Sequence, residues 1–320
     1  MSVFTPVQEG ELRAFLSQYP IGELVSFEGI AAGIENTNYF VTTTDHQLVL
    51  TLFEHHTPDE LDYFLGLMAH LAEYGVPTAH PLANNQGRYL GALNGKPAAL
   101  VQRLAGSSVE HPNAAHCHEL GHALARFHLA GVNYPQTRAP DRGPSWWFKT
   151  GHALMPRLSD EDRVLLESEL AYQRAHRYDD LPRGVIHADL FRDNALFDED
   201  KLTGIIDLYY ACNDAWVYDL AVTVNDWCSE DDGHLNEERA RALIGAYQKV
   251  RPFTDTERQA WPVMLRGAAL RFWLSRLKDK LYPRDGEMTF IKDPDEFRRV
   301  LIARIQTTED AVQLLETLGC

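Results

Sequence analysis

The chain has 320 residues, 45% of them hydrophobic, a length and composition that suit about two globular domains. Acidic residues outnumber basic ones by 46 to 30, and a net charge of −16 repels phosphate polymers, so no nucleic-acid partner is expected. No basic segment followed by a long apolar run opens the chain and no stretch approaches the roughly 18 apolar residues of a span, so no membrane association is expected.

The apolar-periodic opening, TPVQEGELRAFLSQYP, leads into residues 26–54, where β-branched side chains alternate and cluster. This predicts three antiparallel strands, with turns at Gly29 and Gly33 and at Thr43 to His46. From Pro58 to Tyr74, Leu61, Phe64, Leu65, Met68 and Leu71 recur at helical spacing and form one stripe, ended by Gly75, on a helix expected to cover the sheet. Two more strands, at Gly87 to Gly91 and in PAALVQRL, complete the first domain, residues 1–104. The second, residues 105–320, is mainly helical: HCHELGHALARFHLAG, DEDRVLLESELAYQRAHRY, NEERARALIGAYQKVR, TERQAWPVMLRGAALRFWLSRLKDKL and PDEFRRVLIARIQTTEDAVQLLETL all carry the helical period. The fold class is α+β. The four cysteines, Cys117, Cys212, Cys228 and Cys320, form no CxxC pair and read as reduced thiols of a cytoplasmic protein.

The helical run is broken once, by GVIHADLFRDNALFDEDKLTGIIDLYYAC, a segment dense in Asp and Asn. Phosphoryl transfer needs a carboxylate to orient the attacking hydroxyl, and oxygen ligands to hold the magnesium that neutralises a triphosphate. Asp189 and Asn194 stand five positions apart in HADLFRDN, the H-x-D-L-x-x-x-N spacing of a kinase catalytic loop. Asp207 lies thirteen residues further on, after the strand-like LTGIID, where a hairpin with the turn FDEDKLTG returns a second carboxylate. The plainer reading is that Asp and Asn here merely form turns.

This loop resembles that of the aminoglycoside phosphotransferase and choline kinase superfamily, H-G-D-x-x-x-x-N followed by I-D-[FWLY]. The segments LVLTLFE, YFLGLMAHLAEYGVPTAHPL, PAALVQRLAG, GVIHADLFRDNALF, YYACNDAWVYDLAVTVNDWC and LRGAALRFWLSRL together resemble its homoserine kinase branch, over essentially the whole chain. The resemblance implies a bilobal protein-kinase-like fold with a small antiparallel-sheet-plus-helix N-lobe, a larger helical C-lobe and nucleotide bound in the cleft. It implies ATP as co-substrate, Mg2+ as cofactor and transfer to the side-chain hydroxyl of L-homoserine. Asp189 would be the base, Asn194 and Asp207 the magnesium ligands, and Asp219 in VYDLA the anchor of the following helix.

On the nucleotide side, Gly29, Gly33, Asn38 and Thr51 are the candidate phosphate-side residues, and Gln102 to Leu104 the hinge opposite the adenine. Here the chain departs from the protein kinases. EGIAAGIENTNYF lacks the full G-x-G-x-x-G, and Thr51 stands where they carry a phosphate-pairing lysine, the first lysine being Lys96. Charge balance on a triphosphate then rests on magnesium and hydrogen bonds. The helix LRGAALRFWLSRL brings Arg266, Arg271 and Arg276 to the acceptor side; Arg271 is the candidate for a substrate carboxylate, and Tyr210 a further substrate contact. Alternatives are another alcohol acceptor (aminoglycoside, choline or methylthioribose), a nucleotide-binding pseudokinase, and a zinc hydrolase suggested by HELGH at His118 to His122.

Overall fold

The computed structural model describes residues 5–30, 36–283 and 292–317. Its contacts divide the chain into two units, one holding the described residues up to Gly106 together with Thr203–Ile206, the other Ser107–Leu202 and the described residues from Asp207 onward.

In the first unit, helix α1 (Glu9–Leu16) precedes strands β1 (Leu24–Gly29), β2 (Thr37–Thr43) and β3 (Gln47–Leu52); helix α2 (Pro58–Glu73) follows, then strands β4 (Gly91–Leu93) and β5 (Lys96–Gln102). All neighbours are antiparallel, in the order β1-β2-β3-β5-β4. Side chains alternate along a strand, so Tyr39, Val41, Leu48, Leu50, Leu52 and Leu100 share one face. The core on that face is completed by Leu12, Phe15 and Leu16 of α1, the opening segment. The stripe on α2 is buried as well, and the helix starts with a capping box between Thr57 and Glu60.

The strand expected at Gly87 to Gly91 is instead a turn that leads into β4. The Asn84 side chain accepts from Gln86 N (3.0 Å) and Arg88 N (3.1 Å), and Gly87 takes φ 75°. The β4–β5 connection is Asn94-Gly95, both residues at positive φ, a two-residue hairpin turn.

The second unit contains helices α3 (Ala114–Gly131), α4 (Pro144–Leu154) and α5 (Asp160–Ala175), and strands β6 (Arg183–Ile186), β7 (Ala195–Asp198) and the start of β8 (Lys201–Ile205). Strand β9 (Cys212–Ala215) and helices α6 (Trp216–Trp227), α7 (Glu237–Val250), α8 (Asp255–Leu281), α9 (Pro294–Gln306) and α10 (Thr308–Thr317) follow. β6 pairs with β9, and β7 with β8 in a hairpin. The periodic run from Pro294 is two helices, divided at Thr307 (φ −108°, ψ 32°). Two helices are not among those expected from periodicity: the short α4, and α6, which is buried all round from Val217 to Trp227. No helix among the described residues is long and apolar enough to cross a membrane.

Candidate active site

β6 ends at Ile186 and delivers the chain into a sharp loop, where Ala188 adopts φ 65°. An L-residue enters this left-handed region at a cost of about 1–2 kcal/mol, so the surroundings must impose it. Asp219 of α6 does so. Its carboxylate accepts from His187 N (2.8 Å) and Ala188 N (2.7 Å), and lies 3.0 Å from His128 Nε2. A carboxylate only accepts, so Nε2 carries the imidazole proton, and Tyr247 Oη donates to Nδ1 across 2.8 Å. Burial pushes the Asp219 carboxyl up, but the bonds from His128 and from the loop backbone outweigh it and hold the group below the ordinary carboxylate value. Burial depresses the imidazole of His128 and raises the phenol of Tyr247, which keeps the ring neutral and the hydroxyl protonated. Asp219 thus fixes the loop that precedes it as well as belonging to its own helix.

The same helix fastens the loop twice more. Asp226 accepts from Arg192 N (2.8 Å) and pairs with its guanidinium (3.2 Å), and Trp227 Nε1 donates to Leu190 O (3.1 Å). Positions 219, 226 and 227 are about two helical turns apart and share one side of α6. The 3-10 turn Arg192–Asn194 that results presents Asn194, 8% exposed, beside Asp189.

Asp189 and Asn194 are in direct contact. Asn194 Nδ2 donates to Asp189 O (2.8 Å) and approaches Asp189 Oδ2 (3.4 Å), while Asp189 N donates to His187 Nδ1 (3.3 Å). His187 therefore bonds the loop backbone. The carboxylate of Asp189 keeps 20% of its side-chain surface exposed and faces Arg271 Nη1 at 3.4 Å. Burial raises its pKa, and the positive charge of Arg271 offsets part of that rise.

Of the three candidate arginines on α8, only Arg271 reaches this point. Arg266 is bound to Glu169 and Arg276 to Glu296. Tyr210 lies against the same group, its ring centre 5.5 Å from the Arg271 guanidinium carbon. Asp207, three residues earlier in the chain, is exposed and takes a left-handed conformation (φ 61°, ψ 57°) just after β8.

The nucleotide-side candidates lie in the first unit. Asn38 and Thr51 are cross-strand partners on the sheet face opposite the α1 core, and Thr51 pairs on its other side with Ala99. Thr51 Oγ1 donates to Asn38 Oδ1 at 2.8 Å, so its proton is committed to that amide. Gly29 ends β1 opposite Tyr39, and Gly33 lies outside the described residues. Gln102 closes β5 with its N–H on His80 O (3.0 Å), and Leu104 packs where a Cβ on Gly204 would meet its Cδ1 at 2.5 Å. Lys96 pairs with Glu54 at 3.0 Å.

His118 and His122 of the HELGH segment are both exposed on α3, and no group of three metal-ligating side chains occurs among the described residues. The fastening residues Asp226, Trp227, His128 and Tyr247 escaped sequence reasoning. For the first two, the repeat of NDW seven residues after YDL was the available signal. Arg142, described below, had none.

A model of the phosphotransferase enzyme family matches residues 26–253. The chain belongs to that family. It is an enzyme, a small-molecule kinase, as the loop suggested. Curated relatives of this phosphotransferase include the homoserine kinases of Methylobacillus flagellatus, 51% identical over 97% of each chain, and of Burkholderia thailandensis, 46% identical over the full length of both. Among solved structures, a spectinomycin phosphotransferase in complex with ADP and its antibiotic superposes with a TM-score of 0.73 at 13% identity, covering 95% of this chain and 100% of that one. A choline kinase from Cryptosporidium parvum gives 0.69 at 14% identity, covering 98% and 100%. These likenesses bear out the bilobal α+β, protein-kinase-like fold.

Proposed function

We propose that this phosphotransferase uses ATP to phosphorylate the side-chain hydroxyl of L-homoserine, giving O-phospho-L-homoserine for threonine synthesis. The observation that carries the reading at the site is the cation of Arg271 beside the carboxylate of Asp189: an acceptor bearing both a hydroxyl and a carboxylate suits that pair. Relatives named homoserine kinase, 46–51% identical along the whole chain, support this acceptor over choline, an aminoglycoside or methylthioribose.

In this reading Asp189 accepts the hydrogen bond of the substrate hydroxyl and takes its proton as the oxygen attacks the γ-phosphorus in line; the new O–P bond forms as the bond to ADP breaks. The raised pKa of Asp189 makes it a better proton acceptor than an ordinary carboxylate. Asn194 and Asp207 would hold Mg2+. The donor set fits a hard cation: the Asn194 amide N–H is turned to Asp189 O, no described residue donates to its Oδ1, and the Asp207 carboxylate is exposed. When bound, the ion supplies charge neutralisation on the phosphates. Gly29, Gly33, Asn38 and Thr51 are assigned to the phosphate side, with Thr51 holding Asn38 so that its amide can donate; Gln102 and Leu104 are assigned to the adenine. The sheet-bearing residues 1–104 then serve the nucleotide and residues 105–320 the chemistry and acceptor. Buried free thiols at Cys117, Cys212 and Cys228 suit the cytoplasm.

ADP release measured over a panel of acceptors tests the reading. Homoserine should be turned over far faster than choline, methylthioribose or an aminoglycoside, with the product a phosphate monoester by 31P NMR. Faster transfer to any of the others sinks the substrate assignment.

A further inference from the structure

The loop before α4 carries an arginine, Arg142, that no sequence motif singles out. Arg142 O accepts the Trp147 indole N–H at 2.6 Å, and the same loop is stitched to β9 by Asn213 N on Arg138 O (2.7 Å) and Arg138 N on Asn213 Oδ1 (2.8 Å). This backbone is therefore firmly placed. The Arg142 guanidinium donates to Ser275 Oγ (2.9 Å) and to Tyr210 Oη (3.3 Å). Ser275 is one helical turn from Arg271 on α8, so the two share a face. The two guanidinium carbons lie 5.3 and 5.5 Å from the centre of the one Tyr210 ring.

Charge accounting makes this arrangement unusual. Among the described residues Arg142 forms no ion pair, and its bonds go to two neutral hydroxyls, whereas the neighbouring Arg138 is paired with Asp141 at 2.8 Å. Among the described residues the one carboxylate near Arg271 is that of Asp189, at 3.4 Å, and in the proposed reaction it must turn to the substrate hydroxyl. Two positive groups thus gather around one ring with a single negative charge among them, and a guanidinium has five donors of which Arg142 engages two here. Such a pair is completed by an anion, and a carboxylate takes the parallel N–H bonds of the fork.

Resting on the homoserine reading, we infer that Arg142 and Arg271 together form the site for the acceptor's α-carboxylate, making Arg142 a specificity-determining residue. In L-homoserine the carboxyl carbon is four bonds from the hydroxyl oxygen, about 5 Å when extended. A carboxylate held by the arginines therefore leaves the hydroxyl within reach of Asp189, which Arg271 already touches. The clamp selects amino-acid alcohols and rejects alcohols that lack the carboxylate, because two cations, the buried Arg271 and the half-buried Arg142, are left unmatched.

Steady-state kinetics of Arg142→Ala and Arg142→Lys test this, with L-homoserine and its carboxylate-free analogue L-homoserinol as acceptors and thermal melts to verify folding. The expected result for Arg142→Ala is a rise of about 10- to 100-fold in KM for homoserine, the scale of a lost charge-assisted bond, with kcat much less affected and KM for ATP unmoved. Homoserinol, poorer with the wild type, should lose no further kcat/KM, and Arg142→Lys should recover part of the homoserine affinity. Equal losses for the two acceptors, or no loss for either, overturn the clamp; a rise in KM for ATP instead puts Arg142 on the phosphates and overturns it too. A wild type inactive on homoserine sinks the substrate reading separately. The clamp is then overturned if the acceptor the enzyme does use carries no carboxylate, and upheld if it carries one and weakens in Arg142→Ala.

Discussion

The proposed catalytic loop after β6 and the sheet face that carries Asn38 and Thr51 are built on opposite principles. The loop is over-determined: a left-handed Ala188 is held by a fully buried carboxylate, and Asp226 and Trp227 grip the next turn from the same helix. Among the described residues the sheet face offers one neutral hydrogen bond, between Thr51 and Asn38 of neighbouring strands, and no lysine. Chemistry that depends on sub-ångström placement of a base draws on the first kind of construction. Binding a flexible triphosphate, much of whose charge a metal ion can meet, tolerates the second.

The sharpest break in this comparison is at Asp189, the proposed base. Asp189→Asn keeps the shape and the Asn194 contact to the backbone but cannot take a proton, so kcat should fall about 10²- to 10⁴-fold with an unchanged melting temperature. A residual rate within a few-fold of wild type would move the base elsewhere. Next comes the anchor. Asp219→Asn leaves two backbone N–H groups and His128 facing an amide with one acceptor oxygen; removing one partner of such a buried charged network costs about 3–5 kcal/mol. Urea unfolding should show that loss, and kcat should fall in the protein that remains folded. Unchanged stability would mean that the loop holds its left-handed turn without help from α6.

How much of this was legible in the sequence follows from the same contrast. The spacing from Asp189 to Asn194 and on to Asp207 survives as a pattern because one loop and one hairpin carry it, and the meander of β1, β2 and β3 is visible because one face of it alternates. What holds the loop was hidden: Asp219 and Asp226 lie on a helix buried on every side, and His128 and Tyr247 reach Asp219 from helices distant in sequence. The expected strand at Gly87 to Gly91 failed because Asn84 turns the chain with its own side chain, a local hydrogen bond that propensity does not see. Arg142 was invisible for a different reason. Its meaning lies in a missing partner, and only the placement of Ser275, Tyr210 and Arg271 around it reveals that.

A subtler test of the loop concerns pH. Burial raises the pKa of Asp189 and Arg271 lowers it in part. With Asp189 as the proposed base, activity needs the carboxylate ionised, so it is lost as pH falls through that raised value, and the acid limb of kcat/KM should stand above the ordinary carboxylate range. Arg271→Met removes the offsetting charge, so the limb should move to higher pH, over and above any loss of acceptor affinity. A limb that stays in place or moves down would mean that the two side chains are not coupled.

The smallest effect is expected on the sheet, and its size is the point. Thr51→Val removes the hydroxyl that donates to Asn38 Oδ1 and replaces it with a methyl group of similar volume. A single neutral hydrogen bond contributes about 1 kcal/mol, so KM for ATP should rise by about fivefold or less, with kcat for bound substrates nearly intact. Asn38→Ala should do at least as much, since in the proposed arrangement Thr51 acts by holding Asn38 and the amide meets the phosphate. The double variant should then add little to Asn38→Ala, because one residue works through the other. If the two losses add in full, Thr51 contacts the nucleotide independently and its bond to Asn38 gives way when ATP binds. A loss of 10²-fold or more from Thr51→Val would overturn the contrast itself, making the sheet as finely determined as the loop.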